Sequence, residues 1–225
     1  MAAIQSFARG IGSLLFKTNS SLRKTTEKNL SLAYHELTAD ERDILTQKSM
    51  QSQCMTYAES IKIWGSSTDY ALSLISKIHG ENIFLDAIKT QKGVIVVVPH
   101  FGTWELLNVW LNQHSSPVIM YKPNKQKDLD RFMLEARQRL NATLVPTDES
   151  GVRQIFKALK QGGTTVILPD HTPHIGGELI EYFGIPLHSS NLSAKLIQKT
   201  KAKALFLHAK RNENHGFDLV IEPLD

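Results

Sequence analysis

A histidine and a glutamate lie five residues apart in the segment "VIVVVPHFGTWELLNVW", residues 94–110. The run of β-branched residues predicts a buried strand that ends at Pro99, and helical spacing follows it. His100 therefore lies where a strand leads into a helix, and Glu105 falls in the first turn of that helix. A turn at Gly102 can bring the two side chains together, so that the carboxylate orients the imidazole. The pair predicts general base catalysis, which typically contributes about 10² to 10⁴ in rate. The alternative is a histidine that caps a strand end and a glutamate that satisfies a helix start.

A second polar pair, Asp170 and His171 in "LPDHTP", follows another predicted strand. Ligands of open α/β sheets gather beyond the carboxyl ends of the strands, so we expect both residues near His100. With His174 nearby, a metal-dependent hydrolase using His100, Asp170 and His171 is an alternative. Pro173 interrupts the segment and no further compact ligand group follows it, which disfavours a metal site.

Two arginines in "LEARQRL", Arg137 and Arg139, belong to a basic stretch that spans residues 122–139. A guanidinium there can hold a phosphate or carboxylate through two parallel hydrogen bonds. The alternative is a solvated helix face. The sequence leaves open which of the two arginines serves a site.

Short apolar runs alternate with helical segments from about residue 72. Strands are predicted at 74–78, 94–98, 117–121, 143–145, 164–168, 179–183, 204–209 and 217–222. Helices are predicted at 21–34, 38–64, 81–90, 103–113, 127–139, 149–161 and 190–200. Such alternation predicts an α/β fold whose central sheet is mostly parallel or mixed and is flanked by helices. We expect a single domain over residues 1–225, with an N-terminal helical subdomain (1–65) and an α/β part (66–225).

Composition excludes several classes of protein. The 225 residues include 26 basic and 22 acidic side chains, and a net charge of +4 is too small to indicate nucleic acid. The single cysteine, Cys54, excludes an internal disulfide and any multi-cysteine zinc site. No apolar run reaches the roughly 20 residues of a spanning helix.

The N-terminal segment "MAAIQSFARGIGSLLF" has apolar residues at helical spacing. Such a helix can lie in a membrane interface or dock on its own domain. Arg23, Lys24 and Lys28 follow shortly after it and favour a membrane surface, because cations there meet anionic head groups.

Taken together, these stretches resemble the bacterial lipid A late acyltransferases, the lauroyl/myristoyl family with a His-x4-Asp/Glu motif. The motif corresponds to "VPHFGTWELLNVW". Four further stretches follow the family's order: "LRKTTEKNLSLAYHELTADER", "MYKPNKQKDLDRFMLEARQRL", "GVRQIFKALKQGGTTVILPDHTP" and "EYFGIP".

The resemblance implies acyl transfer from acyl-carrier protein or acyl-coenzyme A to a hydroxyl of a membrane glycolipid, with no cofactor and no metal. His100 would be the general base and Glu105 its orienting partner. Arg137 or Arg139 would bind substrate, and Asp170 would shape the site or hold the central arginine, with His171 beside it. The basic stretch can also attract an acidic carrier protein. We expect a peripheral protein on the cytoplasmic face of the inner membrane.

Two other functions stay open. A glycerophospholipid acyltransferase, acting on a phospholipid acceptor, shares the histidine–acid chemistry. Members of the resembled family continue through further helices beyond "DLVIEPLD", so a catalytically silent lipid- or carrier-binding protein is a second alternative.

Overall fold

The structure is a computed structural model that describes residues 1–173 and 177–224. Its contacts divide the chain into two compact units. One comprises Met1–Lys62 with Glu181–Pro186, and the other comprises Ile63–Ile180 with Leu187–Asp225.

Helices and strands occur along the chain in the following order. They are α1 (Ala2–Lys17), α2 (Ser21–Ala33), α3 (Ala39–Trp64), α4 (Thr68–Ser73), β1 (Ile75–His79), α5 (Glu81–Lys89), β2 (Val94–Val97), α6 (Trp104–His114), β3 (Val118–Tyr121), α7 (Lys127–Gln138), β4 (Thr143–Pro146), α8 (Glu149–Lys160), β5 (Thr164–Ile167), β6 (Glu178–Tyr182), β7 (Ile185–Ser189), α9 (Leu192–Thr200), β8 (Lys203–Arg211) and β9 (Phe217–Pro223).

Helices α2 and α3 begin at residues whose side chains cap them. Ser20 accepts a hydrogen bond from the backbone N–H of Arg23 at the start of α2. Thr38 and Glu41 form the reciprocal capping box at the start of α3, and these bonds lower the pKa of the Glu41 carboxyl. Helix α1 leaves an apolar stripe exposed, formed by Phe7, Ile11 and Leu14. None of the helices in residues 1–173 and 177–224 combines the length and apolar character needed to cross a membrane.

A seven-stranded sheet has the order β1-β9-β8-β2-β5-β3-β4, and β6 and β7 form a separate two-stranded sheet. All the neighbours in the large sheet run parallel except β8 and β9, which are antiparallel. The predicted fold class, an α/β protein with a mostly parallel central sheet flanked by helices, is confirmed. The short helix α4 and strand β7 were not predicted.

Strand β2 is central, as its apolar sequence predicts, because both of its faces are buried. Val94 and Val96 pack into one apolar cluster, which includes residues of α5, α6, β8 and β9. Ile95 belongs to a second cluster, which includes residues of α8 and α9. The strand is therefore fixed on both sides, and the loop that follows it starts from a rigid support.

Candidate active site

The register between β2 and β5 sets the distance between His100 and Asp170, which were predicted at the ends of two strands. The strands are parallel neighbours, and Val97 is paired with Ile167. The next backbone bond, from the N–H of Val98 to the carbonyl of Ile167, is 3.0 Å long. His100 and Asp170 each follow the paired residue of their own strand by three positions. The same offset on adjacent parallel strands brings the two side chains to one point at the carboxyl edge of the sheet.

The Asp170 carboxylate binds His100 through both of its oxygens. Oδ1 lies 2.7 Å from Nδ1 of the imidazole, and Oδ2 accepts a 2.7 Å bond from the backbone N–H of His100. Burial by itself raises the pKa of Asp170, but the bonds from the His100 ring and backbone outweigh it and hold the pKa below its ordinary value of 3.8. An ionised carboxylate at Nδ1 requires a proton on that nitrogen, which leaves Nε2 as the basic atom.

Two other rings lie against the imidazole of His100. The ring of His171 has its centroid 4.3 Å away, and that of Trp104 has its centroid 5.1 Å away, both in edge-on arrangements. The structure therefore brings together His100, Asp170 and His171, as the strand-end argument predicts.

Glu105 makes a different contact from the one expected. Its side chain is only 5% exposed, and its Oε1 accepts a 2.5 Å bond from the guanidinium of Arg137. The imidazole of His100, which Glu105 was expected to orient, bonds to Asp170 instead. The pairing of Glu105 with Arg137 follows from the cost of burying a carboxylate, which is smallest beside a full positive charge that donates hydrogen bonds to it.

Arg137 lies in the last turn of α7, and its guanidinium has a second neighbour. The charge stands 5.5 Å from the centre of the Tyr121 ring, at the end of β3. The phenol of Tyr121 donates to Asp130, and burial together with that bond raises the pKa of Tyr121 to about 12. Strand β3, helix α7 and the first turn of α6 thus fix this arginine.

Arg139 has a contact of another kind. Its guanidinium donates to the backbone carbonyls of Trp64 and Ser66, at and just beyond the end of α3. Carbonyls in the last turn of a helix lack intrahelical partners, and a cation near them is favourable. The sequence did not distinguish the two arginines, whereas the structure separates them: Arg137 binds a buried carboxylate and Arg139 binds the end of a helix.

The loop between His100 and α6 depends on Gly102. Its φ is +57°, a conformation that L side chains rarely adopt. A Cβ at this position would lie 2.4 Å from the carbonyl oxygen of Ala209 in β8. The loop therefore packs directly on the neighbouring strand, and this close approach fixes the start of α6.

Comparison with known proteins supports the resemblance seen in the motifs. The model of the bacterial lipid A biosynthesis acyltransferase family matches residues 1–224. The chain belongs to this family.

Relatives of this acyltransferase family member share modest identity with it. It is 22% identical to a lipid A biosynthesis lauroyltransferase of Escherichia coli (strain K12) over 95% of this chain and 70% of that protein. It is 26% identical to a lipid A biosynthesis acyltransferase of Haemophilus influenzae over 71% of this chain and 50% of that protein. A phosphatidylinositol mannoside acyltransferase of Mycolicibacterium smegmatis is 23% identical over 80% of this chain and 60% of that protein. The matched region thus spans 50 to 70% of the lengths of these relatives.

The described part of this acyltransferase family member contains no cluster of candidate metal ligands. No group of three or more His, Cys, Asp or Glu side chains among residues 1–173 and 177–224 is placed to hold a metal ion. His174, which the sequence suggested as a second histidine ligand, lies outside the described residues.

Sequence reasoning placed Asp170 near His100 but did not predict the hydrogen bond between them, and it did not predict the contact of Glu105 with Arg137. One signal for the first was available, because each of the two residues follows an apolar strand by a similar number of positions. No comparable signal existed for the second, since the contact depends on where α7 ends relative to α6.

Proposed function

We propose that the protein transfers a fatty acyl chain from a thioester donor, acyl-carrier protein or acyl-coenzyme A, to a hydroxyl of a lipid A precursor or a related glycolipid. The observation that carries the proposal is the imidazole of His100, whose Nδ1 bonds to Asp170 at the carboxyl edge of the sheet. Membership of the lipid A acyltransferase family supplies the reaction class.

In the proposed reaction His100 acts as the general base. Its Nε2 takes the proton from the acceptor hydroxyl, and the oxygen attacks the thioester carbonyl to form a C–O bond. The tetrahedral intermediate then collapses with cleavage of the C–S bond. The proton on Nε2 passes to the leaving thiolate, which restores the neutral imidazole. Asp170 stabilises the imidazolium between these steps because its carboxylate accepts the Nδ1–H bond.

The other predicted site residues receive distinct roles in the proposal. Glu105 acts as a positioning residue that holds Arg137, rather than as the partner of His100. Arg137 and His171 face substrate, with the guanidinium binding a phosphate or carboxylate of the acceptor or donor. Arg139 supports the site by fixing the end of α3.

Peripheral attachment to the cytoplasmic face of the inner membrane is part of the same proposal. The exposed stripe of α1, formed by Phe7, Ile11 and Leu14, supports it. Arg9 lies in the same helix and Lys17 at its end, so apolar and cationic groups together face solvent. Such a helix can bury its apolar stripe among acyl chains while its cations meet anionic head groups.

The test is acyl transfer in detergent, measured with and without a chelator, from acyl-carrier protein and from acyl-coenzyme A to a lipid A precursor. We expect transfer by the wild type and a loss of about 10² to 10⁴ in His100→Gln. His79→Gln, an exposed histidine of β1, is the control and should leave the rate unchanged. A folded wild type that transfers nothing would overturn the proposal in favour of a silent binding protein. Transfer only to a lysophospholipid would indicate a glycerophospholipid acyltransferase instead. Loss of all activity when the chelator is added would indicate a metal enzyme.

A further inference from the structure

The β6–β7 hairpin, residues 178–189, exposes large apolar side chains along its whole length. Leu179 is 70% exposed and Phe183 is 57% exposed. Four more side chains are at least two-fifths exposed: Ile180, Tyr182, Ile185 and Leu187. An exposed apolar patch of this kind marks a surface that binds something. An isolated two-stranded ribbon is itself marginally stable, so it gains from being covered.

The tip of the hairpin is an unusual place for an aromatic residue. Phe183 and Gly184 form a two-residue turn, and both have positive φ values, 50° and 73°. Turns of this type normally use Asn, Asp or Gly, because a bulky side chain at positive φ is unfavourable. A Cβ on Gly184 would meet nothing within 4 Å, so the turn is open at this residue. A phenylalanine here is costly in backbone conformation. Its exposure is a second cost, which a partner that buries the ring would remove.

The distribution of side chains indicates a lipid surface as that partner. A two-residue turn places Tyr182 opposite Ile185 and Ile180 opposite Leu187, which makes one face of the ribbon apolar. Leu179 lies on the other face and Phe183 at the tip. Glu181 and His188 share that other face, so the ribbon is amphipathic. Such a ribbon can lie in a membrane interface with its apolar face among the acyl chains and its polar face toward water. The Tyr182 ring, apolar with a polar hydroxyl, suits the boundary between acyl chains and head groups.

The base of the hairpin is tied to the loop that carries Asp170. A Cβ on Gly177 would lie 2.5 Å from the carbonyl oxygen of Ser189 and 2.7 Å from Cγ of Pro173, three residues after Asp170. The side chain of Asn191 donates a 2.8 Å bond to Glu178, which closes the base. The base of the hairpin therefore packs against the loop that carries Asp170.

We propose that the β6–β7 hairpin inserts its tip and its apolar face into the surface of a phospholipid bilayer and so presents the His100–Asp170 pair to a lipid acceptor. The choice of a lipid partner rests on the proposed function. Residues 177–190 include no Lys or Arg, and their two acidic residues are Glu178 and Glu181. Anionic lipid does not attract this segment, so its insertion rests on the apolar face and withstands salt. Attraction of the cations in α1 and α2 to anionic lipid is screened by salt.

The first experiment measures the surroundings of residue 183 on vesicles of phosphatidylethanolamine and phosphatidylglycerol in equal amounts. Phe183→Cys in a Cys54→Ala background carries an environment-sensitive fluorophore, and Glu213→Cys, in the exposed β8–β9 turn, is the matched control. We expect a blue shift and quenching by lipid-borne quenchers at position 183 only. A probe at 183 that stays in water while the protein is bound, or a protein that does not bind the vesicles, would overturn the proposal.

The second experiment measures vesicle binding of Phe183→Ser in about 1 M NaCl, where the Debye length is about 3 Å. We expect binding to weaken at least about tenfold, which corresponds to about 1.4 kcal/mol, because the phenylalanine no longer enters the acyl chains. Ile44→Ser, on α3 and 54% exposed in the wild type, is the control and should bind as the wild type does. An equal loss in both variants would mean general apolar adhesion. A changed oligomeric state of Phe183→Ser with unchanged vesicle binding would mean that the hairpin contacts a second copy. Either result contradicts the proposal.

These readouts are independent of catalysis. If the hairpin inserts into vesicles but the protein transfers no acyl chain, the proposed function is wrong and the membrane contact stands. If the protein transfers acyl chains while residue 183 stays in water, the proposal for the hairpin is wrong and the proposed function stands.

Discussion

Nδ1 of His100 and Oδ1 of Asp170 lie 2.7 Å apart although 70 residues separate them in the chain. The second carboxylate oxygen accepts the backbone N–H of His100, so Asp170 fixes both the ring and the loop that carries it. The pair resembles the base and orienting acid of many hydrolytic and transfer enzymes, in which the acid sets the tautomer of the histidine. The orienting carboxylate thus comes from the loop after β5 and lies outside the His-x4-Glu motif.

Asp170→Asn should therefore reduce transfer by about 10² to 10⁴, because an amide at this position neither fixes the Nδ1–H tautomer nor stabilises the imidazolium. The loss should fall on kcat and leave KM nearly unchanged. Steady-state rates with the lipid A precursor, measured beside circular dichroism of the variant, check this. Wild-type kcat in a folded Asp170→Asn variant would contradict the assignment.

The stability of the protein should depend on pH through Asp170. Its folded pKa lies below the ordinary value of 3.8, so its ionised form favours the folded state. This contribution is complete above about pH 5 and is lost as the pH falls through the lower folded pKa. We expect the Tm of the wild type to exceed that of Asp170→Asn at neutral pH, with the difference shrinking below about pH 4.

Thermal unfolding followed by circular dichroism between neutral and strongly acid pH measures that difference. In a His100→Gln background the ring bond is absent, and the difference should be smaller at every pH. A Tm difference that does not change with pH would show that the Asp170 carboxylate contributes nothing to folding through its charge.

Glu105 and Arg137 should behave as one buried ion pair. Glu105→Gln leaves the guanidinium without its counter-charge, and breaking a buried pair costs about 3 to 5 kcal/mol in the free energy of unfolding. Arg137→Met leaves an unpaired carboxylate and should cost a similar amount. The double variant should recover much of the loss, because no uncompensated charge remains.

Denaturant unfolding of the two single variants and the double variant gives the coupling energy. The same set distinguishes the two roles of Glu105. If Glu105 only holds Arg137, the double variant should regain stability and the apparent ionisation that limits kcat/KM should not change. If Glu105 orients His100, that ionisation should shift in both variants that lack Glu105. Additive effects on stability, with no coupling, would contradict the ion pair.

Arg139 should contribute to stability rather than to catalysis. Arg139→Ala removes the donors to the carbonyls of Trp64 and Ser66, and a cation at a helix end is worth about 0.3 to 1 kcal/mol. Activity at saturating acceptor should stay within about twofold of the wild type. Thermal unfolding and transfer rates on the same preparation check both expectations, and a large loss of kcat with unchanged Tm would return Arg139 to the site.

Gly102→Ala should damage both folding and transfer. The new Cβ would lie 2.4 Å from the Ala209 carbonyl oxygen at a φ of +57°, so the loop must shift, at a cost of at least about 1 kcal/mol. Gly10→Ala is the matched control, because a Cβ there meets nothing within 4 Å on helix α1. It should stabilise the protein by about 0.5 to 1 kcal/mol, and its transfer rate should not change. Denaturant unfolding of both variants measures the expected loss of stability in Gly102→Ala and the expected gain in Gly10→Ala.

The fold class followed from the sequence because the relevant signals are local. Apolar runs such as 94–98 and the amphipathic helix at 149–161 identify their own element types, and alternating elements require a largely parallel sheet. The helix α4 escaped because it spans only six residues. Strand β7 escaped because it carries Pro186, which counts against a strand within a sheet. Among residues 1–173 and 177–224, β7 pairs with β6 alone, so an edge strand tolerates this proline.

The identity of the site residues was also local information, whereas their pairing was not. The sequence by itself placed His100, Glu105, Asp170 and His171 at two strand ends. It also placed Arg137 and Arg139 on one helix. Only the tertiary structure decided which carboxylate meets the histidine and which meets an arginine. The physical reason is that the β2–β5 register and the end of α7 are set by core packing between distant segments, which no five-residue spacing encodes.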